Sequence, residues 1–384
     1  MSHKLTFQMN TPEAQADVGY GGIKAFAFCD NVIETIESLW NSIKFFYEPK
    51  ILEPAVPPYL EREFIDFMKG AMGRDYEVRE TQRVDIDPDT VQSGDFLSTF
   101  RTDGLSAIIM YGTGAAVGHN TMALRFDGEL YVVESTDPVV RRTPWSEWLD
   151  MVEAADINVA YHRLTDEKRA LFDEKKAQDF FFQTEGIPYG YYNFMYGWVD
   201  TANDNWPPII AREFVPVLWK LVEEIDYKVA YNMFSEALNK RLGVDGKNIS
   251  ELAMLAAEKN MSLEDVMAMP EMDGWIYSGV STRDGPSYVC SAYVTALYKA
   301  AGVFEDLDIN ATEFTPMDVP NLKFWDETSP RPDACVAADP DLPYCQLLGK
   351  YRIIHPYYNS IDPYEHMFEQ CDINFPTYEK DPGC

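Results

Sequence analysis

Three residue types that cooperate in acyl transfer stand far apart in this chain: a thiol, an imidazole and a carboxylate. Cys290 lies in Gly285-Pro-Ser-Tyr-Val-Cys-Ser-Ala-Tyr-Val-Thr-Ala-Leu-Tyr298. That segment reads as loop, cap and helix, with the helix running to about Ala301 and Gly302 placed to end it. Ser287 is the expected N-cap, so Cys290 falls in the first turn. There the helix dipole favours thiolate over thiol, and free N–H groups of the same turn can hold a developing oxyanion. The competing reading is a small apolar cysteine on a buried face with Val289, Tyr293, Ala296 and Ala300.

His119 follows Gly118 and opens an apolar run that ends at Phe126, where Asp127-Gly128 leads into a second run from Leu130. An Asp-Gly pair between two such runs predicts a hairpin with a two-residue turn. Phe126 then faces Glu129, and counting outward sets His119 opposite Thr136. Glu134 is two residues back on that partner strand, so His119 and Glu134 leave the same face as diagonal neighbours. A carboxylate so placed fixes the tautomer of an imidazole and stabilises its charged form. Taken singly, His119 reads better as a solvated or capping histidine, and Glu134 as the cross-strand partner of a basic residue such as Arg125.

Other elements must position these groups. Apolar spacing predicts helices over Asn31–Phe46 and Pro58–Met72. A strand-rich block follows, with Gly94–Leu97, the buried apolar run Ser106–Tyr111, and the two hairpin strands. Helix returns over Pro144–Val152 and, after a strand-like Ile157–Tyr161, over Asp166 to about Thr184, closed by Gly186 and Pro188. From Pro207 to Met269 the pattern is helical throughout, with segments Phe214–Ile225, Tyr231–Leu242, Ile249–Lys259 and Leu263–Met269. The last fifty residues are rich in proline and aromatic residues and hold Cys335, Cys345, Cys371 and Cys384; Cys29 stands alone near the start. Four cysteines in such a tail read as two disulfides, and the absence of a Cys-x-x-Cys pair disfavours a metal site.

The ordered motifs Gly94-Asp-Phe, Gly118-His, Glu134, Gly186-Ile-Pro-Tyr-Gly and Tyr288-Val-Cys-Ser-Ala-Tyr-Val with Ala301-Gly resemble the permuted NlpC/P60 papain-like superfamily. They are most similar to its YiiX/YaeF-type amidases. The resemblance covers about 91–140 and 177–302. It implies an α+β, circularly permuted papain-like core, with an antiparallel sheet and a nucleophile helix. It implies Cys290 as nucleophile, His119 as general base and acid, and Glu134 as the orienting group, with no cofactor and no metal. It also places Tyr189 at the site wall; Tyr288 and Ser291, beside the thiol, join it as expected substrate-binding residues. Gly190 departs from the family, which often has Asp after the Pro-Tyr pair, and 199–274 is far longer than the family's link. The expected organisation is therefore a helical region over 1–90, the sheet part of the core over 91–198, a helical insertion over 199–274, the nucleophile helix over 275–303 and an irregular cysteine-bearing tail over 304–384.

The 384 residues are 46% hydrophobic and 14% aromatic, ample for a large core. With 32 Lys and Arg against 63 Asp and Glu the formal net charge is -31, which disfavours nucleic acid and anionic membrane surfaces as partners. No apolar stretch reaches the ~18 residues of a membrane helix, and no signal peptide is visible. The tail cysteines nevertheless point to a secreted or lysosomal or vacuolar location, with the cytoplasm as alternative. The expected function is a cysteine-dependent amidase or peptidase-like hydrolase acting through an acyl-enzyme on a small-molecule, peptide or lipid-amide substrate. The alternatives are a lipid acyltransferase or thioesterase on the same triad, and a non-catalytic secreted binding protein. A metal hydrolase lacks its His-Glu-x-x-His or clustered ligands. His162, His355 and His366 are expected to serve packing or surface roles.

Overall fold

A computed structural model describes residues 55–190 and 284–365, most of 216–277, and the strand pair Ile373–Asn374 and Glu379–Lys380. The expected helix Asn31–Phe46, Cys29, Cys371, Cys384, His366 and most of Phe214–Ile225 lie outside the described residues.

The first described helix, α1 (Pro58–Met72), has the expected bounds: proline opens it, Leu60, Phe64, Met68 and Met72 share its buried face, and Gly73 closes it at φ 65. Strand β1 (Phe96–Phe100) follows, then helix α2 (Gly104–Thr113). This helix corrects the strand-like reading of Ser106–Tyr111. A short apolar run has no period of its own, and here the ends decide. Asp103 accepts from the Ser106 N–H at 2.8 Å, and Gly114 takes the left-handed conformation at φ 69.

Strands β2 (His119–Phe126) and β3 (Glu129–Ser135) form the expected hairpin, with Phe126 opposite Glu129 and Met122 opposite Val133. Asp127 and Gly128 both have positive φ, 51 and 87, as a two-residue turn of this hand requires. Strand β4 (Val140–Pro144), helix α3 (Trp145–Ala154) and strand β5 (Asn158–His162) complete this part. The single helix expected from Asp166 to Thr184 is two, α4 (Asp166–Leu171) and α5 (Glu174–Thr184). The Asp173 side chain caps the second by accepting from the Lys176 N–H.

The sheet has six antiparallel strands in the order β4-β3-β2-β1-β5-β6. Its last strand, β6 (Cys345–Leu348), comes from the tail. The tail is therefore not an irregular appendage: it covers the β5 edge, and the Cys335–Cys345 disulfide ties it down. One disulfide is thus present among the described residues.

Alternation along the strands sends two sets of side chains to opposite faces. Phe96, Met122, Leu124, Phe126, Val133 and Val140 pack against helix α9 (Cys290–Ala300). Leu97, Ala123, Val132, Val159 and Tyr161 pack against Trp145, Trp148 and Val152 of α3. Every residue of α9 from Cys290 to Tyr298 is buried, and side chains such as Val294 and Leu297 each contribute roughly 1.5–3 kcal/mol by leaving water. Asp95, from the Gly-Asp-Phe motif, is a structural hub. It is fully buried, accepts from the Tyr161 hydroxyl at 2.6 Å and the Gln92 N–H at 2.8 Å, and pairs with Arg169.

Within the expected insertion, 227–242 is helical, with a π-helical turn over Tyr231–Ser235 leading into α6 (Glu236–Leu242). Helices α7 (Ile249–Glu258) and α8 (Leu263–Met267) follow. Their apolar faces form a separate core around Phe234, Leu238, Leu252 and Val266. Asp273 joins this unit to α9 and the segment after it, accepting from Lys299 of α9 at 2.6 Å and from Thr312 at 3.0 Å.

Candidate active site

Helix α9 begins two residues later than expected. Val289, not Ser287, occupies its N-cap, and no side chain caps it. Cys290 is therefore the first helical residue, where amide N–H groups lack intrahelical partners. The Cys290 thiol is unpaired by disulfide and buried. It hydrogen-bonds His119, and the backbone N–H groups of Asn120 and Ser291 donate to the sulfur.

On the other side of the imidazole, His119 Nε2 lies 2.9 Å from Glu134 Oε2. With Nε2 taken by the carboxylate, Nδ1 is the nitrogen left for sulfur. Glu134 is only 3% exposed, whereas the His119 side chain is 27% exposed and reachable from solvent. The structure thus brings Cys290, His119 and Glu134, all three of the expected catalytic residues, into one contact chain.

The charges in this chain reinforce one another. Burial disfavours a charged His119, but the neighbouring Cys290 and then Glu134 outweigh it and push its pKa up to about 10. Burial likewise opposes thiolate at Cys290, yet the His119 charge and the two backbone N–H groups pull its pKa below the usual thiol value. Glu134 is pushed up by burial and pulled further down by His119 and Arg141, so it stays ionised. Each contact therefore favours the charged form of its neighbour: thiolate at Cys290, imidazolium at His119 and carboxylate at Glu134.

Arg141 was not among the residues expected from sequence. It faces Glu134 across the β3–β4 pairing and donates from Nε and Nη2 to Oε1, at 3.1 and 3.0 Å. The competing reading of Glu134 gave it a basic cross-strand partner such as Arg125. That residue instead donates to the carbonyls of Gly128, Pro88 and Val91. The signal that could have found Arg141 is a β3–β4 register: Asp137-Pro138 marks a turn in the connection 136–139, and the closing pair Ser135–Val140 sets Glu134 opposite Arg141.

The expected substrate-binding residues divide. Tyr189 is half-buried, on the segment that Pro138 and Val139 hold by backbone contacts. Tyr288 and Ser291 require correction as side chains facing substrate. The Tyr288 ring is 6% exposed and packs against Phe180 and Tyr293, because its residue precedes the helix on the core side. The Ser291 hydroxyl is fully buried and donates to the Phe314 carbonyl at 2.7 Å. Backbone groups serve the site instead: the Ser291 N–H reaches the sulfur, and the Tyr288 carbonyl accepts from Ser135 Oγ at 2.7 Å and from the Gly190 N–H at 3.0 Å. These bonds tie the approach to the nucleophile to β3 and to the Pro-Tyr segment. They also explain Gly190, since a Cβ there would lie 2.4 Å from the Tyr288 carbonyl carbon. An aspartate cannot occupy this position without moving the loop that presents Cys290.

Among the described residues no three His, Cys, Asp or Glu side chains converge as metal ligands, and no helix is long and apolar enough to cross a membrane. No protein-family model matches the chain, and no curated protein matches it. Among solved structures, the chain is similar in part to the crystal structure of metalloprotein yiiX from Escherichia coli O157:H7, DUF1105. The match has 19% sequence identity over 35% of this chain and 66% of that one, with a TM-score of 0.22.

Proposed function

We propose that this protein is a cysteine-dependent amide hydrolase working through an acyl-enzyme on Cys290. The observation that carries the reading is a single hydrogen-bonded chain: a thiol at the start of a helix, an imidazole with one nitrogen on it, and a buried carboxylate on the other nitrogen.

In the proposed reaction the Cys290 sulfur attacks the substrate carbonyl carbon, and a carbon–sulfur bond forms as the C=O electron pair moves onto oxygen. Backbone N–H groups at the start of α9 are the available donors for that oxyanion. When the tetrahedral centre collapses the carbon–nitrogen bond breaks, and His119 gives its proton to the departing amine. Neutral His119 then takes a proton from water, whose oxygen attacks the thioester. Collapse releases the acid and returns the thiolate and imidazolium. Glu134 keeps the ring oriented and its charged form stable through both halves. The Cys335–Cys345 disulfide is compatible with work in an oxidising compartment.

The test is covalent capture. Incubation with iodoacetamide near neutral pH should give a mass adduct at Cys290, and a separate untreated sample given a panel of peptide and lipid amides should show turnover that Cys290→Ala abolishes. Turnover that survives the substitution with the fold intact would sink the reading. A thiol inert to alkylation would favour a binding protein over an enzyme.

A further inference from the structure

We infer that Arg141 is a positioning residue of this site, holding Glu134 ionised and aimed at His119; the inference rests on the triad reading above. A carboxylate has two oxygens, and each is committed here. Glu134 Oε2 faces His119 Nε2 at 2.9 Å, while Oε1 takes both Nε and Nη2 of Arg141 at 3.1 and 3.0 Å. Two guanidinium bonds to one oxygen remove the freedom of the carboxylate to rotate, which a single histidine contact would leave. Glu134 is 3% exposed, so without Arg141 one of its oxygens would be desolvated and unpartnered, a strong pressure towards protonation. A protonated Glu134 no longer stabilises the imidazolium.

The chain also builds a mount for this arginine. Successive residues of β4 leave opposite faces, so when Arg141 turns to Glu134, Arg142 turns away from it. The Arg142 guanidinium sits among four aromatic rings, 4.4 Å from the Phe126 centroid, 5.0 Å from Tyr131, 5.4 Å from Phe182 and 5.6 Å from Phe181. Cation–π contact on that side clamps β4 against β2, β3 and α5. Glu134 and Arg141 are also direct cross-strand partners, so the strand that Arg142 fixes sets the register of the Glu134–Arg141 pair.

Arg141 is half-exposed, which separates two explanations for any effect of its loss: action through Glu134, or direct contact with substrate. A double-mutant cycle on full-length protein distinguishes them. The readout is the burst of p-nitrophenol from p-nitrophenyl acetate, with Cys290→Ala as blank. Arg141→Met should slow the burst about tenfold in the wild-type background and by less than about twofold in Glu134→Gln, because residues acting as one unit are not additive. Arg141→Lys should recover part of the rate. An equal slowing in both backgrounds, or none in the wild type, overturns the inference.

The second readout does not need turnover. The Glu134 carboxyl titration, followed by carbon-13 NMR and assigned by its absence in Glu134→Gln, should move to higher pH in Arg141→Met and move less in Arg141→Lys. A titration unmoved in Arg141→Met overturns the inference. A wild type with no Cys290-dependent burst removes the acyl-enzyme reading instead, and the carboxyl titration still decides whether Arg141 holds Glu134.

Discussion

His119 and the pair His162 and His355 belong to one sheet and its covering tail, yet their surroundings drive their charge in opposite directions. His119 lies between a thiol and a carboxylate, and its partners outweigh burial to favour imidazolium. His162 and His355 share one neutral partner. Ser98 Oγ lies 2.8 Å from His162 Nε2 and 3.0 Å from His355 Nε2, and the Tyr358 hydroxyl is 3.2 Å from His162 Nδ1. A hydroxyl has one proton to give, so a ring that accepts it from Ser98 is unprotonated at Nε2 and the other ring must supply its own Nε2–H. Burial, then His355, pushes His162 far down, and burial, then Arg74, pushes His355 down to about 3. The lesson is that burial alone does not activate a histidine. Desolvation is outweighed where anions adjoin the ring, as at His119, and prevails where hydroxyls and, at His355, the Arg74 charge do.

The largest contrast is in rate. Cys290→Ala should lower acylation by at least about a thousandfold with little change in melting temperature, whereas Ser98→Ala should leave the burst unchanged. A Ser98→Ala protein that folds but has lost its burst would erase the distinction between the two regions.

Acid should separate the regions next. His162 and His355 have folded pKa values below the ordinary value of 6.5, so at low pH the unfolded chain binds more protons than the native one. Their contribution to stability is complete above about pH 6.5 and is lost as pH falls towards the folded values. The expected slope is about 1.4 kcal/mol per pH unit for each histidine, measured by urea denaturation between pH 7 and 4.5. A flat profile over that range contradicts the assignment of these two rings as neutral. The shift at His119 has the opposite sign: its pKa is raised, so its contribution is present at low pH and is lost as pH rises through about 10.

Glu134→Gln tests the anion side of the comparison. Removing the carboxylate should lower the burst rate about ten- to a hundredfold and move its alkaline limb to lower pH, because His119 then loses a proton more easily. An alkaline limb that stays in place would mean Glu134 does not set the charge of the ring. The smallest effect should be Ser98→Ala on stability. It strips both imidazoles of their shared partner at a cost of roughly 1–3 kcal/mol in chemical denaturation at pH 7.

The legible parts of the fold were those set by short sequence spans. Asp127-Gly128 specified a turn, the turn specified a register, and the register put His119 and Glu134 together before any tertiary contact was known. The α9 helix and its Gly302 terminus were equally readable, with the start displaced by two residues. What escaped was decided at long range or by end effects. Arg141 needed the β3–β4 register, and β6 needed the partner edge of β5. The run Ser106–Tyr111 is apolar on every side, so only Asp103 and Gly114 reveal it as helix. Tyr288 turns into the core, because adjacency in sequence to Cys290 does not decide which way a ring turns at a helix start.

Delivery of β6 by the tail has a consequence for synthesis. The hairpin bearing His119 and Glu134 leaves the ribosome first, the helix bearing Cys290 much later, and the strand that seals the β5 edge later still. A nascent chain passes through a stage in which Cys290, His119 and Glu134 all exist but the sheet ends in bare N–H and C=O groups, the kind of edge that recruits other chains. For this protein the hazard of translation lies in the interval between completing its candidate site and closing its sheet.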